Sequence, residues 1–445
     1  MHPYLSHTES DIKKMLDTIG VKSIDDLFND IPEDMRVKGD LNFDKSKSEI
    51  EVRNIVGGMA AKNLTPAFIP SFLGAGIYDH YIPSIIPAIT SRSEFYTSYT
   101  PYQPEVSQGT LQYIYEFQTM ICDLTGMDVA NASVYDHSNA VVEAAIMCAA
   151  VSKKKKVIVS ETLNPSARMV LDTYAHAQGL EVITIPQKDG VTDAEELEKN
   201  MSDDVACVMV QNPNFFGIIE DAKKLGEIAH TGKKTSFVVS VDPISLGIMK
   251  KPSEYGADVV IGEGQAMGVN MSFGGPSLGF FAVKEKFMRK MPGRIVGQTV
   301  DHNGKRCYVL TLTAREQHIR RDKATSNICS NQGVNTLAAS IYMCVMGKQG
   351  LRRVAELCTQ KAHYLQKELE NKGLKLKYDQ PFFKEFVVTG INEEEQYNAL
   401  HEKNIIGGLA LDRFFKDMDK EIMFAVTEKR TKEEMDALAK YLEVK

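Results

Sequence analysis

The sequence predicts an α/β protein: a large domain with a mostly parallel sheet, followed by a smaller C-terminal α+β domain. Three observations carry this. Short runs rich in Val and Ile recur at Val157–Ser160, Val182–Pro186, Val205–Val210, Phe237–Val241 and Val259–Ile261. Helical stretches such as Ala167–Gln178 and Ala222–His230 separate several of them, and near-continuous apolar strands alternating with helices mean parallel strands covered on both faces. Beyond about Asn335 a long helical region, Leu337–Leu369, leads to short strands at Leu374–Tyr378, Glu385–Val388 and Ile422–Val426 and a last helix from Thr431. The expected organisation is an N-terminal helical arm over 1–75, the large domain over 76–334 and the small domain over 335–445.

The arm is signalled by Thr8-Glu-Ser-Asp11 ahead of Ile12, Met15, Leu16 and Ile19. A hydroxyl at the N-cap with an acid three residues on is a capping box, and the apolar spacing is helical. Ser23-Ile-Asp-Asp26 repeats the signal before Leu27 and Phe28. Arms of this kind often pack on a partner subunit.

At 445 residues the chain exceeds what one compact core usually serves. Its 43% hydrophobic and 25% charged content is that of an ordinary globular protein. A net charge of −7 argues against nucleic acid as a partner. The N-terminus has no basic region followed by an apolar run, and no stretch of about 18 apolar residues occurs, so neither a signal peptide nor a membrane span is expected. The seven cysteines, at 122, 148, 207, 307, 329, 344 and 358, never fall as CxxC. No disulfide framework or metal site is expected, most of them read as small buried apolar groups, and a reducing cytoplasm fits.

In open α/β sheets ligands sit beyond the carboxyl ends of the strands, which directs attention to Gln211-Asn-Pro-Asn214 and Asp242-Pro243. Asn212 and Asn214 suit a ligand edge and a local turn equally. Asp242 ends its strand where enzymes using pyridoxal phosphate place the partner of the pyridine nitrogen, and Asp-Pro also starts turns. Tyr99-Thr-Pro-Tyr102-Gln103-Pro-Glu105-Val-Ser107-Gln108-Gly109 is dense in hydroxyls and amides on backbone stiffened by proline, which suits a binding wall or a polar loop leading into a helix. Ser272-Phe-Gly-Gly-Pro276 suits close backbone approach or a plain turn, and the basic run Arg315–Lys323 reads as a solvated or interface helix.

The decisive feature is an absence. Only an amine condenses with the cofactor's aldehyde, so a pyridoxal-phosphate enzyme needs a lysine past the next strand after the aspartate. The stretch Pro252–Val283 has none. Lys250 and Lys251 come too early, and Lys284 reads as solvent-facing charge. Gly262-Glu-Gly264 lacks the third glycine of a dinucleotide fingerprint.

These segments resemble the glycine cleavage system P-protein family, in its α or N-terminal-type subunit 1. The resemblance rests on Phe72-Leu-Gly-Ala-Gly76, Tyr99–Gly109, Asn131-Ala-Ser-Val-Tyr-Asp136, Gln211-Asn-Pro-Asn-Phe-Phe-Gly217, Gly262-Glu-Gly-Gln265, Phe273-Gly-Gly-Pro276, Pro292-Gly-Arg294, Arg315-Glu-Gln-His-Ile-Arg-Arg321 and Ala324-Thr-Ser-Asn-Ile-Cys329. It implies the type I fold of pyridoxal-phosphate-dependent transferases and glycine as substrate. It also implies a subunit 2 that carries the cofactor on its own lysine in an α2β2 assembly. The implied reaction is decarboxylation of glycine with transfer of the aminomethyl group to the lipoyl group of H-protein. By the same resemblance the missing lysine falls at Ala266, beside Gln265, leaving a vestigial site near Asp242, Gln265 and Ala266. Tyr99 and Tyr102, with Gln103 and His80, are the candidates for shaping the glycine pocket across the interface. Two other readings follow from the same residues, a stand-alone enzyme with a displaced lysine and a purely structural scaffold. One departure stands out: where the family has Asp-Gly in the phosphate-binding turn, this chain has Asp136-His137-Ser138-Asn139. A buried or capping role is expected for His137.

Overall fold

The computed structural model describes residues 4–442, apart from residues 40, 325 and 329–331. Two compact units are present, Met1–Leu64 and Thr65–Lys445.

The first unit is helical. Thr8 caps α1 (Glu9–Ile19) in a full capping box with Asp11, and Ser48 does the same with Glu51 for α2 (Glu49–Ala60). The second signal, at Ser23, yields one short 3₁₀ turn, Asp25–Phe28. None of the described residues of this unit is buried, and Ile19, Phe28, Met35, Phe43, Ile55 and Met59 are all exposed.

The second unit is built on a seven-stranded sheet of β1 (Val129–Ala130), β2 (Lys156–Ser160), β3 (Glu181–Ile185), β4 (Val205–Gln211), β5 (Ser236–Val241), β6 (Val259–Glu263) and β7 (Gly279–Val283). The spatial order is β1-β7-β6-β5-β4-β2-β3. Strands β3, β2, β4, β5 and β6 pair in parallel, while β7 runs antiparallel to both β6 and β1. The five expected strands therefore form, and β7, which no helix announces, is the strand that follows a glycine-rich loop instead of a crossover. Every residue of β5 and β7 is buried, as sheets covered on both faces require.

Helix α3 (Gln108–Thr125) and helix α4 (His137–Ser152) flank the sheet. A hairpin of Ile295–Val300 and Arg306–Thr311 packs on α3. The long C-terminal helical region is α5 (Gly333–Asn371), broken where Gly347 takes φ +56°. It leads to a four-stranded antiparallel sheet of β8 (Lys375–Leu376), β9 (Glu385–Thr389), β10 (Leu409–Ala410) and β11 (Glu421–Ala425), ordered β8-β9-β11-β10. Residues 65–75 join this small sheet: Ser71 bridges Ile406, and Ala425 N–H donates to Phe72 O. Among the described residues no helix is long and apolar enough to cross a membrane. Six cysteines are free, and Cys329 and Thr325 lie outside the described residues.

Candidate functional site

The parallel strands deliver β5 to the mouth of the sheet, and Asp242 follows its last residue. One carboxylate oxygen, Oδ1, accepts from Ile244 N–H at 2.9 Å, so the expected turn forms. The other, Oδ2, lies 2.5 Å from Lys384 Nζ, a charge contact without the angle of a directed hydrogen bond. Lys384 stands just ahead of β9 in the small sheet and is almost wholly buried. Its backbone is pinned through the neighbouring residue to the segment that follows β4, since Phe383 N–H donates to Gly217 O. Gly217 is indispensable here: it takes φ +82°, and a Cβ would stand 2.0 Å from Glu385 O.

The Lys384 ammonium sits 3.4 Å from the centroid of the Tyr78 ring, a cation–π contact, and 3.0 Å from His80 Nε2. His80 Nδ1 reaches Glu428 Oε2 at 2.6 Å. With an ammonium donating to Nε2, the ring is the Nδ1–H tautomer, donating to Glu428. Glu428 also accepts from Tyr81 N–H at 2.7 Å. Burial pushes this carboxyl up, and the His80 and Tyr81 bonds outweigh it, holding it below the usual range. Glu385, next to Lys384, accepts from Tyr78 Oη and Ala75 N–H and is pushed up to about 7 by burial. Donor atoms of His80, Cys358 and Glu428 lie within 4.8 Å of one another. A cation there would meet the Lys384 ammonium on the same imidazole, and burial pushes the Cys358 thiol up.

Gln265 is a clamp on the backbone. Its Oε1 accepts from Tyr78 N–H at 2.9 Å, and its Nε2 donates to Tyr78 O and Val269 O. Ala266 is buried beside it and offers only a methyl.

At the start of α4, Asp136 accepts from Asn139 N–H at 2.8 Å, and His137 N–H donates to Glu263 Oε2 at 3.2 Å. The other Glu263 oxygen gathers Ser277 Oγ, Gln265 N–H and Leu278 N–H. Burial raises this carboxyl. His137 is partly buried, bonds Ser240 Oγ through Nε2 at 2.7 Å, and is lowered to about 4 by desolvation. Of the two roles expected for His137, the cap of α4 falls to Asp136, and His137 is a half-buried side chain bonded to Ser240.

Pyridoxal phosphate needs an amine to condense with, a free carboxylate for its ring nitrogen and free amides for its phosphate. Here no lysine stands in Pro252–Val283, Asp242 is taken by Lys384, and the first turn of α4 is taken by Asp136 and Glu263. The residues present do not fit the cofactor.

Tyr99, Tyr102 and Gln103 lie elsewhere, on an exposed loop, with Tyr99 at 75% and Tyr102 at 49% exposure. Tyr102 Oη accepts from Arg294 Nη2 at 3.0 Å, and its ring packs edge-on to His318. Arg294 is buried, pairs at 3.4 Å with Glu316, and keeps Nε and Nη1 without hydrogen-bond partners. Beside it, Arg289, Lys290, Arg315, Glu316, Arg320 and Lys323 border a cavity of about 120 Å³. The basic run is broken into a short α-helix, Gln317–Arg320, and a 3₁₀ turn, Arg321–Lys323, with Arg315 turned inward onto the Met291, Gly293 and Leu312 carbonyls. The structure does not join His80 to Tyr99 or Tyr102 by any hydrogen bond or ring contact among the described residues. Asn212 and Asn214 resolve as turn formers: Asn212 accepts from Glu220 N–H, and Asn214 bonds Phe216, Ile218, Gly190 and Glu220. Lys284, read as solvent-facing, pairs at 3.0 Å with buried Asp258, whose carboxyl is pushed up by burial but held below its ordinary range by the bonds from His230, Lys286, Phe237 N–H and Lys284 together.

The family profile described as "Glycine cleavage system P-protein" matches residues 2–442. The chain belongs to the glycine cleavage system P-protein family. It is similar to the "Probable glycine dehydrogenase (decarboxylating) subunit 1" of Bacillus cereus and that of Bacillus thuringiensis, at 54% identity over 98% of both chains in each case. Among solved structures it is similar to glycine decarboxylase (P-protein) of the glycine cleavage system in inhibitor-bound form, at 38% identity, TM-score 0.90 and 99% of both chains. A cysteine desulfurase from Thermococcus onnurineus, at 16% identity and TM-score 0.60, shares the fold alone. The fold is that of pyridoxal-phosphate-dependent transferases, as the P-protein resemblance implies. Sequence reasoning missed Lys384, Glu263, Arg294 and Glu428. Only Lys384 left a signal, as a charged pair with Glu385 breaking the apolar run Pro381–Val388.

Proposed function

We propose that this chain is subunit 1 of a two-subunit glycine decarboxylase acting in the cytoplasm. It would work with a subunit 2 that carries pyridoxal phosphate, in an α2β2 assembly, and deliver the aminomethyl group to the lipoyl group of H-protein. The observation that carries this is the engaged cofactor pocket. A P-protein chain whose own Asp242 already holds Lys384 depends on another chain for the cofactor. The cofactor, bound on that partner, supplies an electron sink for the pair left behind as CO₂ departs.

The contribution of this chain is positional. Tyr99, Tyr102 and Gln103 face outward from a proline-stiffened loop, where they orient the glycine carboxylate and exclude water from across the interface. Because Tyr102 Oη accepts from Arg294, its own proton is free to donate outward, and the cation strengthens it as a donor. Arg294 is a positioning residue for Tyr102. His80 serves inside the chain, linking Lys384 to Glu428. The exposed apolar residues of the N-terminal unit supply a face for the partner subunit.

Reconstitution tests the proposal. The lone chain is expected to show no glycine–bicarbonate exchange and no borohydride-fixed pyridoxyl lysine, and exchange appears when subunit 2 is added. Exchange by the lone chain sinks the reading. Full turnover in complexes carrying Tyr99→Phe and Tyr102→Phe reduces the chain to a scaffold.

A further inference from the structure

We infer that two side chains of this chain occupy the two charged positions of its own cofactor pocket. The Lys384 ammonium stands at Asp242 in place of a ring nitrogen, and the Glu263 carboxylate stands at the first turn of α4 in place of a phosphate. The pocket is thereby closed to pyridoxal-type phosphates, tethered or not.

The geometry is matched at both ends. A carboxylate after the central strand asks for a cation, and Lys384 meets it at 2.5 Å while stacking on Tyr78 and donating to His80. Alone, each charge would be costly to bury; paired and hydrogen-bonded, they are tolerated. A helix start asks for an anion, and Glu263 answers His137 N–H there while its second oxygen is held by Ser277, Gln265 and Leu278. Between the two ends, His137 bonds Ser240, which lies on β5 two residues before Asp242. The ammonium also comes from the small sheet and the carboxylate from the large one, so the pair fastens the two together. A missing tether alone would leave a pocket able to hold the cofactor reversibly. A pocket filled at both ends would not.

This deepens the reading that the partner carries the cofactor, and its test fails separately. That reading falls on a covalent adduct; this one falls on reversible binding. The probe is pyridoxamine 5′-phosphate, which has the ring nitrogen and phosphate but no aldehyde to react with surface lysines. The full-length chain is expected to show no saturable binding by equilibrium dialysis, and Lys384→Ala with Glu263→Ala, which frees both Asp242 and the first turn of α4, to gain saturable binding at least about ten-fold tighter than the weakest Kd the dialysis detects, the equivalent of about 1.4 kcal/mol. Saturable binding by the unaltered chain, or a folded Lys384→Ala/Glu263→Ala chain that gains none, overturns the inference. Should that variant fail to fold, Asp242→Asn with Lys384→Met removes both charges of the ion pair together. Recovery of a melt within a few degrees of the parent supports the pairing, and collapse of the double variant counts against it.

Discussion

The His137 imidazole provides a prediction with a defined sign. Its folded value of about 4 against an ordinary 6.5 comes first from desolvation, which Asp136 only partly offsets. The folded chain therefore prefers the neutral ring. A base depressed on folding contributes stability that is complete above its unfolded value and is lost as pH falls toward the folded one. At about 1.4 kcal/mol per pH unit, the full loss is about 3 kcal/mol, and about 2 kcal/mol of it is already gone at about pH 5. Glutamine at this position keeps a polar group for Ser240 and carries no titratable ring. Urea midpoints of the parent and His137→Gln at about pH 7.5 and about pH 5 isolate the effect, since every other titrating group is common to both. The parent's margin over the variant is expected to shrink by about 2 kcal/mol on acidification. A margin that changes by less than about 0.5 kcal/mol would show that the ring is solvated or charged in the folded chain, and would refute the reasoning.

Glu143 runs the opposite way. Burial raises it to about 7 against the opposing bond from Ser326, so its contribution is complete below 4.5 and is lost as pH rises toward 7. Glu143→Gln should remove up to about 3 kcal/mol of that alkaline loss in matched urea titrations, and an unchanged slope speaks against it. Tyr102→Phe strips a partner from buried Arg294 and should cost about 1–3 kcal/mol in the isolated chain, whereas Tyr99→Phe, on an exposed ring, should stay within about 0.5 kcal/mol. Equal melts for the two would remove Arg294 as the reason. Deleting residues 1–64 is expected to leave the melt of Thr65–Lys445 nearly unchanged while abolishing co-elution with subunit 2 on gel filtration; a truncated chain that still co-elutes refutes the role given to the arm.

Local physics made much of the fold legible in the sequence. Continuous Val-rich runs marked β2 to β6 because a parallel sheet buries both faces, and Thr8 and Thr431 marked helix starts because a free N–H there needs an oxygen. β7 escaped because it follows a glycine-rich loop and not the helix of a parallel crossover, and the hairpin after Ile295 escaped because its two strands are only partly buried and show no continuous apolar run.

The sequence by itself determined what chemistry this chain lacks: no amine lies where the cofactor would be tethered, and that follows from residue identity alone. It also placed Asp242 at a strand end and Tyr99 and Tyr102 on a rigid loop. Only the tertiary structure decided what stands in the vacant positions. Lys384 meets Asp242 from 142 residues away along the chain, and Arg294 meets Tyr102 across 192. Such contacts depend on how two sheets and a hairpin pack, and no local spacing encodes them. The same packing sets the dielectric around each group, which is why the protonation of His137, Glu143 and Glu385 could be read only from their burial in the fold.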